Sequence, residues 1–123
     1  MRRRLEEFEK AFYRLKEAVN EAQSELEIDG VIQRFEFTFE LAWKALQEHL
    51  REEGIICNSP RRCLKEAYKV GLIEDEKVWL KILEDRNLSV HTYDFSTSRA
   101  IFDRIKTLYL DAFENLLQRL KEY

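Results

Sequence analysis

The chain has 123 residues, of which 37% are charged and 45% hydrophobic, and a formal net charge of −3. That length suits one domain spanning 1–123 that buries roughly two thirds of its unfolded surface, and the balance of residues excludes a disordered chain. The longest uncharged runs, GIICNSP and NLSVHTY, are seven residues each, too short for a transmembrane helix or the apolar region of a signal peptide, so a cytoplasmic protein with no membrane contact is expected.

In chain order, the first segment, from about Arg3 to Glu25, carries Leu5, Phe8, Phe12, Leu15, Val19, Ala22 and Leu26 at steps of three and four. This predicts a helix with one apolar stripe. Asp29 is the expected N-cap of a second helix that runs to about Glu53 and stops at Gly54. Ile32, Phe35, Phe39, Ala42 and Leu46 form one face of it, and Phe37 and Leu41 another, so it is expected to lie centrally. Ser59-Pro60 marks a helix start, a capping serine followed by proline at the first helical position, and the short helix ends at Gly71. A fourth helix is expected from about Asp75 through VWLKILEDRNLSV. The last begins near Ser96 or Thr97, with Ile101, Ile105, Leu108, Ala112, Phe113, Leu116 and Leu120 on one stripe. No segment alternates with period two for long. The expected fold class is all-α, an up-and-down bundle of four long helices plus one short helix.

Little in the sequence speaks for a cofactor. No HExxH pair, glycine-rich phosphate loop or G-x-S-x-G is present, so no metal and no cofactor is expected. Cys57 and Cys63 are not spaced as paired zinc ligands and are read as reduced thiols; a bridge between them calls for an oxidising compartment or a hyperthermophile-like cytosol. Phosphate neutralisation dominates nucleic-acid affinity, so an acidic chain directed at RNA must rely on a local patch or a partner. Arg61, Arg62 and Lys65 are the obvious basic cluster. Glu40 and Lys44 read as a helical i,i+4 pair, and His49 as a surface residue.

The stretch RNLSVHTYD, residues 86–94, gathers Arg86, Asn87, His91 and Tyr93 at an expected helix end. Residues five apart on a helix are separated by about 140°, so Arg86 and His91 do not share a face, whereas Asn87 and His91 do. Across a two-fold axis the groups of two copies can share one cleft, which favours a dimeric site. Imidazole suits proton transfer near neutrality, and a guanidinium holds a phosphate through two hydrogen bonds. These are the parts of metal-free RNA cleavage in which the neighbouring 2′-hydroxyl is the nucleophile. The bland alternative is that Arg86 and His91 only cap carbonyls at a helix C-terminus.

RFEFTFELAWKAL, SPRRCLKEAYKVGLI and WLKILEDRNLSVHTYD, in that order and at these spacings, resemble the nucleotidyltransferase substrate-binding proteins of the HEPN superfamily, the HepT-like group. The resemblance covers about Phe8 to Leu120, and its diagnostic Arg-x4-His-x-Tyr is met by Arg86, His91 and Tyr93. It implies a HEPN-like bundle that forms a homodimer and acts as a metal-independent endoribonuclease toxin of a toxin–antitoxin pair. Arg86 would stabilise the scissile phosphate, His91 would be the acid/base and Asn87 would orient them. Tyr93 would accept AMP from a partner minimal nucleotidyltransferase antitoxin, which silences the site. RNA, with tRNA a natural first choice, would be the substrate, and Arg61, Arg62 and Lys65 could contact it. Two other functions stay open from the sequence: a non-catalytic substrate-binding subunit of a two-component nucleotidyltransferase, and a purely structural helical dimer.

Overall fold

In the computed structural model, which describes residues 2–89 and 94–122, the chain forms five helical rods, and no strand occurs among the described residues. They are α1 (Arg3–Glu21), α2 (Glu25–Glu52), the short α3 (Pro60–Lys69), α4 (Glu76–Ser89), and a last rod built of α5 (Phe95–Arg104), a π-helical turn (Ile105–Tyr109) and α6 (Leu110–Lys121). The all-α architecture of four long helices and one short one is as the apolar periodicity predicts. No helix among the described residues is long and apolar enough to cross a membrane.

The helix punctuation is mostly where expected, with one correction. Ser59 caps α3, its hydroxyl accepting from the Arg62 amide at 3.3 Å. Gly54 and Gly71 take φ of +82° and +83° and so end α2 and α3 in the left-handed region that glycine enters without penalty. The start of α2, however, lies five residues before the expected Asp29 cap. Ser24 is the cap: its hydroxyl accepts from the Glu27 amide at 3.1 Å, and the Glu27 carboxylate accepts from the Ser24 amide at 2.9 Å. This reciprocal box satisfies two helix-end donors at once, which Asp29 could not do. Leu26 consequently faces water, 81% exposed, instead of extending the α1 stripe.

The long α2 packs on α1, α3, α4 and α5 and is the central helix. It lies antiparallel to α1. Thr38 on α2 donates to the Ala11 carbonyl, and Glu7 and Arg14 of α1 line one groove with Arg34 and Leu41 of α2. Ile32, Phe35, Phe39, Ala42 and Leu46 are buried as predicted, and Leu41 is buried against α1, but Phe37 stays 60% exposed. Phe8, Phe35, Trp79, Tyr109 and Phe113 form the aromatic centre, with Phe35 stacked on Tyr109 at 5.7 Å and Trp79 edge-on to Phe113 at 5.4 Å. Each fully buried aromatic of this kind contributes about 2–3 kcal/mol through removal from water.

The last rod departs from the predicted stripe at one point. Ile101, Ile105, Tyr109 and Phe113 are all buried, at successive steps of four, whereas Leu108 is 49% exposed. Three such steps on an unbroken α-helix would rotate the stripe by about 120° off the core. The π turn absorbs the drift: the Leu110 amide donates to the carbonyl of Ile105, five residues back. Tyr109 therefore takes the buried position that the simple period assigned to Leu108.

Two side-chain expectations are also corrected. Cys57 and Cys63 form a disulfide, with their Cα atoms 5.2 Å apart. Cys57 stands in the segment leading to the Ser59 cap and Cys63 on the buried side of α3, so the turn into α3 places the two thiols together, which spacing alone does not reveal. His49 is buried, 8% exposed, because it lies on the side of α2 that faces the Arg2–Leu120 corner, and its imidazole sits 3.9 Å from Glu53.

Candidate functional site

α4 alternates its roles along one stripe. Val78, Ile82, Asp85 and Ser89 recur at steps of four and three, and the stripe turns from apolar to polar at Asp85, which is completely buried. A buried carboxylate must be compensated. Here Arg104, at the end of α5, donates to it twice, from Nε at 2.7 Å and from Nη2 at 2.9 Å, and the Tyr109 hydroxyl donates to the same carboxylate. Burial, and then the neighbouring Asp85 carboxylate, push the Tyr109 phenol well above its ordinary range, so it is a permanent donor. Hydrogen bonding to Asp85 raises the Arg104 guanidinium above its ordinary value as well. Arg104, together with Tyr109 aimed inward by the π turn, thus locks the last rod onto α4, one residue before Arg86.

Arg86 emerges from this anchored end of α4. Its Nη2 donates to Glu40 Oε2 on α2 at 2.9 Å, its Nη1 donates to Asn87 Oδ1 at 3.2 Å, and its guanidinium carbon lies 5.8 Å from the centre of the buried Phe39 ring. About a third of the Arg86 side chain remains open to solvent. Ser89, one turn on and mostly buried, donates to the Arg86 carbonyl at 2.8 Å and so holds the last turn of α4. Asp94 opens the next helix, accepting from the Ser96 amide at 3.1 Å and the Ser96 hydroxyl at 2.7 Å. A cleft lined by Gln33, Glu36, Ser89 and Ser98 opens at this end of the bundle.

Of the residues singled out in the sequence, Arg86 and Asn87 are together and in mutual contact. His91 and Tyr93 lie outside the described residues. Arg61, Arg62 and Lys65 are exposed on α3; Arg62 lies 3.6 Å from Glu66, and the other two have no ion-pair partner among the described residues. No described contact joins this cluster to Arg86. Cys57, which leads into α3, is bonded by Gln47, about two turns of α2 beyond Glu40. Glu40 and Lys44 form the expected i,i+4 pair at 3.4 Å. Neither Glu40 as the partner of Arg86 nor the Asp85–Arg104–Tyr109 group is expected from the sequence. For the latter a signal exists: Asp85 falls on the apolar stripe of α4, where a charge implies a buried partner.

The comparisons with known proteins agree with this fold. The model of the family described as nucleotidyltransferase substrate binding protein like matches residues 3–122. The solved structure of a Thermus thermophilus protein superposes with a TM-score of 0.87 at 45% identity, covering 93% of this chain and 98% of the other. A Haemophilus influenzae structure, described as revealing the fold of a substrate binding domain of a nucleotidyltransferase, superposes with a TM-score of 0.83 at 28% identity, covering 95% and 98%. A Haemophilus influenzae protein named Probable ribonuclease HepT is 31% identical over 100 residues, 77% of this chain and 68% of that protein. The bundle is thus the all-helical fold of nucleotidyltransferase-associated substrate-binding proteins. The chain belongs to the nucleotidyltransferase substrate-binding protein family, HepT-like group.

Proposed function

We propose that this chain, as one HEPN-like domain over 1–123, is a metal-independent endoribonuclease toxin that acts in the cytoplasm as a homodimer. The observation that carries the reading is Arg86, fixed beside Asn87 at the end of α4 with about a third of its side chain open to solvent. It stands five residues before His91. In the proposed reaction the RNA 2′-hydroxyl loses its proton and attacks the adjacent phosphorus, and the bond to the 5′-oxygen breaks. The products are a 2′,3′-cyclic phosphate and a 5′-hydroxyl. His91 moves the proton, Arg86 balances the charge that grows on the phosphoryl oxygens, and Asn87 holds the guanidinium edge. Similarity to a protein named as a ribonuclease supports the same reading.

A partner minimal nucleotidyltransferase would act as antitoxin by transferring AMP to Tyr93. The Tyr93 hydroxyl would attack the α-phosphorus of a nucleoside triphosphate with loss of its proton and release of pyrophosphate. The phosphodiester added two residues from His91 would bring a negative charge and a base into the RNA site. Arg61, Arg62 and Lys65, exposed on α3, would add contacts to RNA, tRNA being the first substrate to offer.

The family description and the Haemophilus structure favour a second reading, a non-catalytic subunit that presents a substrate to a nucleotidyltransferase. Incubation with total RNA and tRNA in EDTA separates the two. The ribonuclease reading expects cleavage by the wild type that is abolished in His91→Ala and reduced to a small residual rate in Arg86→Ala. Binding to a nucleotidyltransferase without cleavage at any protein concentration would favour the second reading.

A further inference from the structure

The arginine of the proposed site is held by a residue that the reaction scheme does not use. Glu40 divides its carboxylate between two cations: Oε2 accepts from Arg86 Nη2 at 2.9 Å, and Oε1 lies 3.4 Å from Lys44 Nζ. Beneath the guanidinium is the ring of Phe39, the neighbour of Glu40 on α2, and along its other edge is Asn87 Oδ1. Two edges and one face of the guanidinium are therefore fixed, and its remaining N–H groups have no partner among the described residues.

The pair is a poor candidate for a stabilising device. Both side chains are about one third exposed, at 31%, and ion pairs of this kind contribute about 0–1 kcal/mol. Its geometry offers something else. A freely rotating arginine presents its fork to a phosphate in many orientations, whereas a guanidinium clamped at one Nη presents the same edge each time. The clamp also carries an electrostatic cost for the substrate, since Glu40 places a negative charge next to the phosphate site.

We infer that Glu40 is a positioning residue that orients Arg86 toward the scissile phosphate, with Lys44 holding the carboxylate in place. This rests on the ribonuclease reading given above. It has a signature that a mere tie between α2 and α4 lacks. Removing Glu40 takes away a charge that repels RNA, so ground-state binding tightens, while the loss of orientation slows the chemical step. KM and kcat then both fall.

The test is the steady-state cleavage of RNA in EDTA by wild type, Glu40→Ala, Glu40→Gln, Arg86→Ala and the Glu40→Ala/Arg86→Ala double variant, with circular dichroism and Tm measured on each. For Glu40→Ala, kcat is expected to fall about 10–100-fold, as a misplaced catalytic group requires. KM is expected to fall as well, with Tm within a few degrees of wild type. Glu40→Gln keeps an acceptor oxygen and should recover part of kcat. In the Arg86→Ala background the Glu40 change should cost no further kcat, because Glu40 acts on the chemical step only through Arg86. An unchanged kcat in Glu40→Ala, or additive losses in the double variant, overturns the inference while leaving the ribonuclease reading intact. A wild type without activity overturns both.

Discussion

Arg104 and Asp85 are joined by two hydrogen bonds, 2.7 and 2.9 Å long, around a carboxylate with no solvent exposure. The pair ties the last helical rod to α4 one residue before Arg86. Removing the cation leaves Asp85 buried without its main partner, so Arg104→Ala should lower stability by about 3 kcal/mol. Asp85→Asn should cost less, because the amide oxygen still accepts from Arg104 or Tyr109. Urea unfolding of both variants checks the order; equal losses would show that charge is not what the pair supplies.

Reduction of the Cys57–Cys63 bridge, which spans six residues, should release the turn into α3. Closing so short a loop stabilises by roughly 2 kcal/mol. Cys57→Ser and a reducing agent should therefore lower Tm by a similar amount, and the agent should add nothing to the variant. Mass spectrometry of the alkylated protein reads the bridge directly.

Trp43 carries a buried indole N–H with no acceptor among the described residues. An unsatisfied donor costs about 1–3 kcal/mol, which offsets what the larger ring gains in packing. Trp43→Phe is accordingly expected to change stability by less than about 1 kcal/mol. A larger loss would mean that the indole N–H has a partner in solution.

The caps of α2 and α5 set an acid limb on stability. The backbone amides of Gln23 and then Ser24 hold the Glu27 carboxyl below its usual value, and the Ser96 hydroxyl and amide do the same for Asp94. Their folded pKa values lie below the unfolded ones, so the stabilisation is present above the unfolded carboxylate pKa and is lost as pH falls through the folded value. Tm measured downward from about pH 6 should drop below about pH 4. Glu27→Gln and Asp94→Asn should each flatten that drop.

Much of the bundle is legible in the sequence because local signals and tertiary packing agree. Ser59-Pro60, Gly54 and Gly71 each have one conformational use, and Phe35, Phe39 and Leu46 repeat at the period of a helix that must be buried. Where the reading failed, two signals competed or a contact was distant. Ser24 and Asp29 are both good caps, and the reciprocal bond to Glu27 decides between them. Tyr109 reaches the core only through a π turn that no simple period predicts. In the candidate site, Arg86 and Asn87 are legible from their residue types and spacing. Glu40 is not, since it lies 46 positions from Arg86 in the chain and its local partner Lys44 gives it a sufficient bland explanation.

The proposed reaction is RNA cleavage by Arg86 and His91 without a metal. The end groups of the products decide whether it occurs. Protein verified by mass as unmodified at Tyr93 is incubated with RNA in EDTA, beside His91→Ala. 2′,3′-Cyclic phosphate and 5′-hydroxyl ends are expected from the wild type alone. No cleavage by the unmodified wild type, or cleavage that survives in His91→Ala, would contradict it.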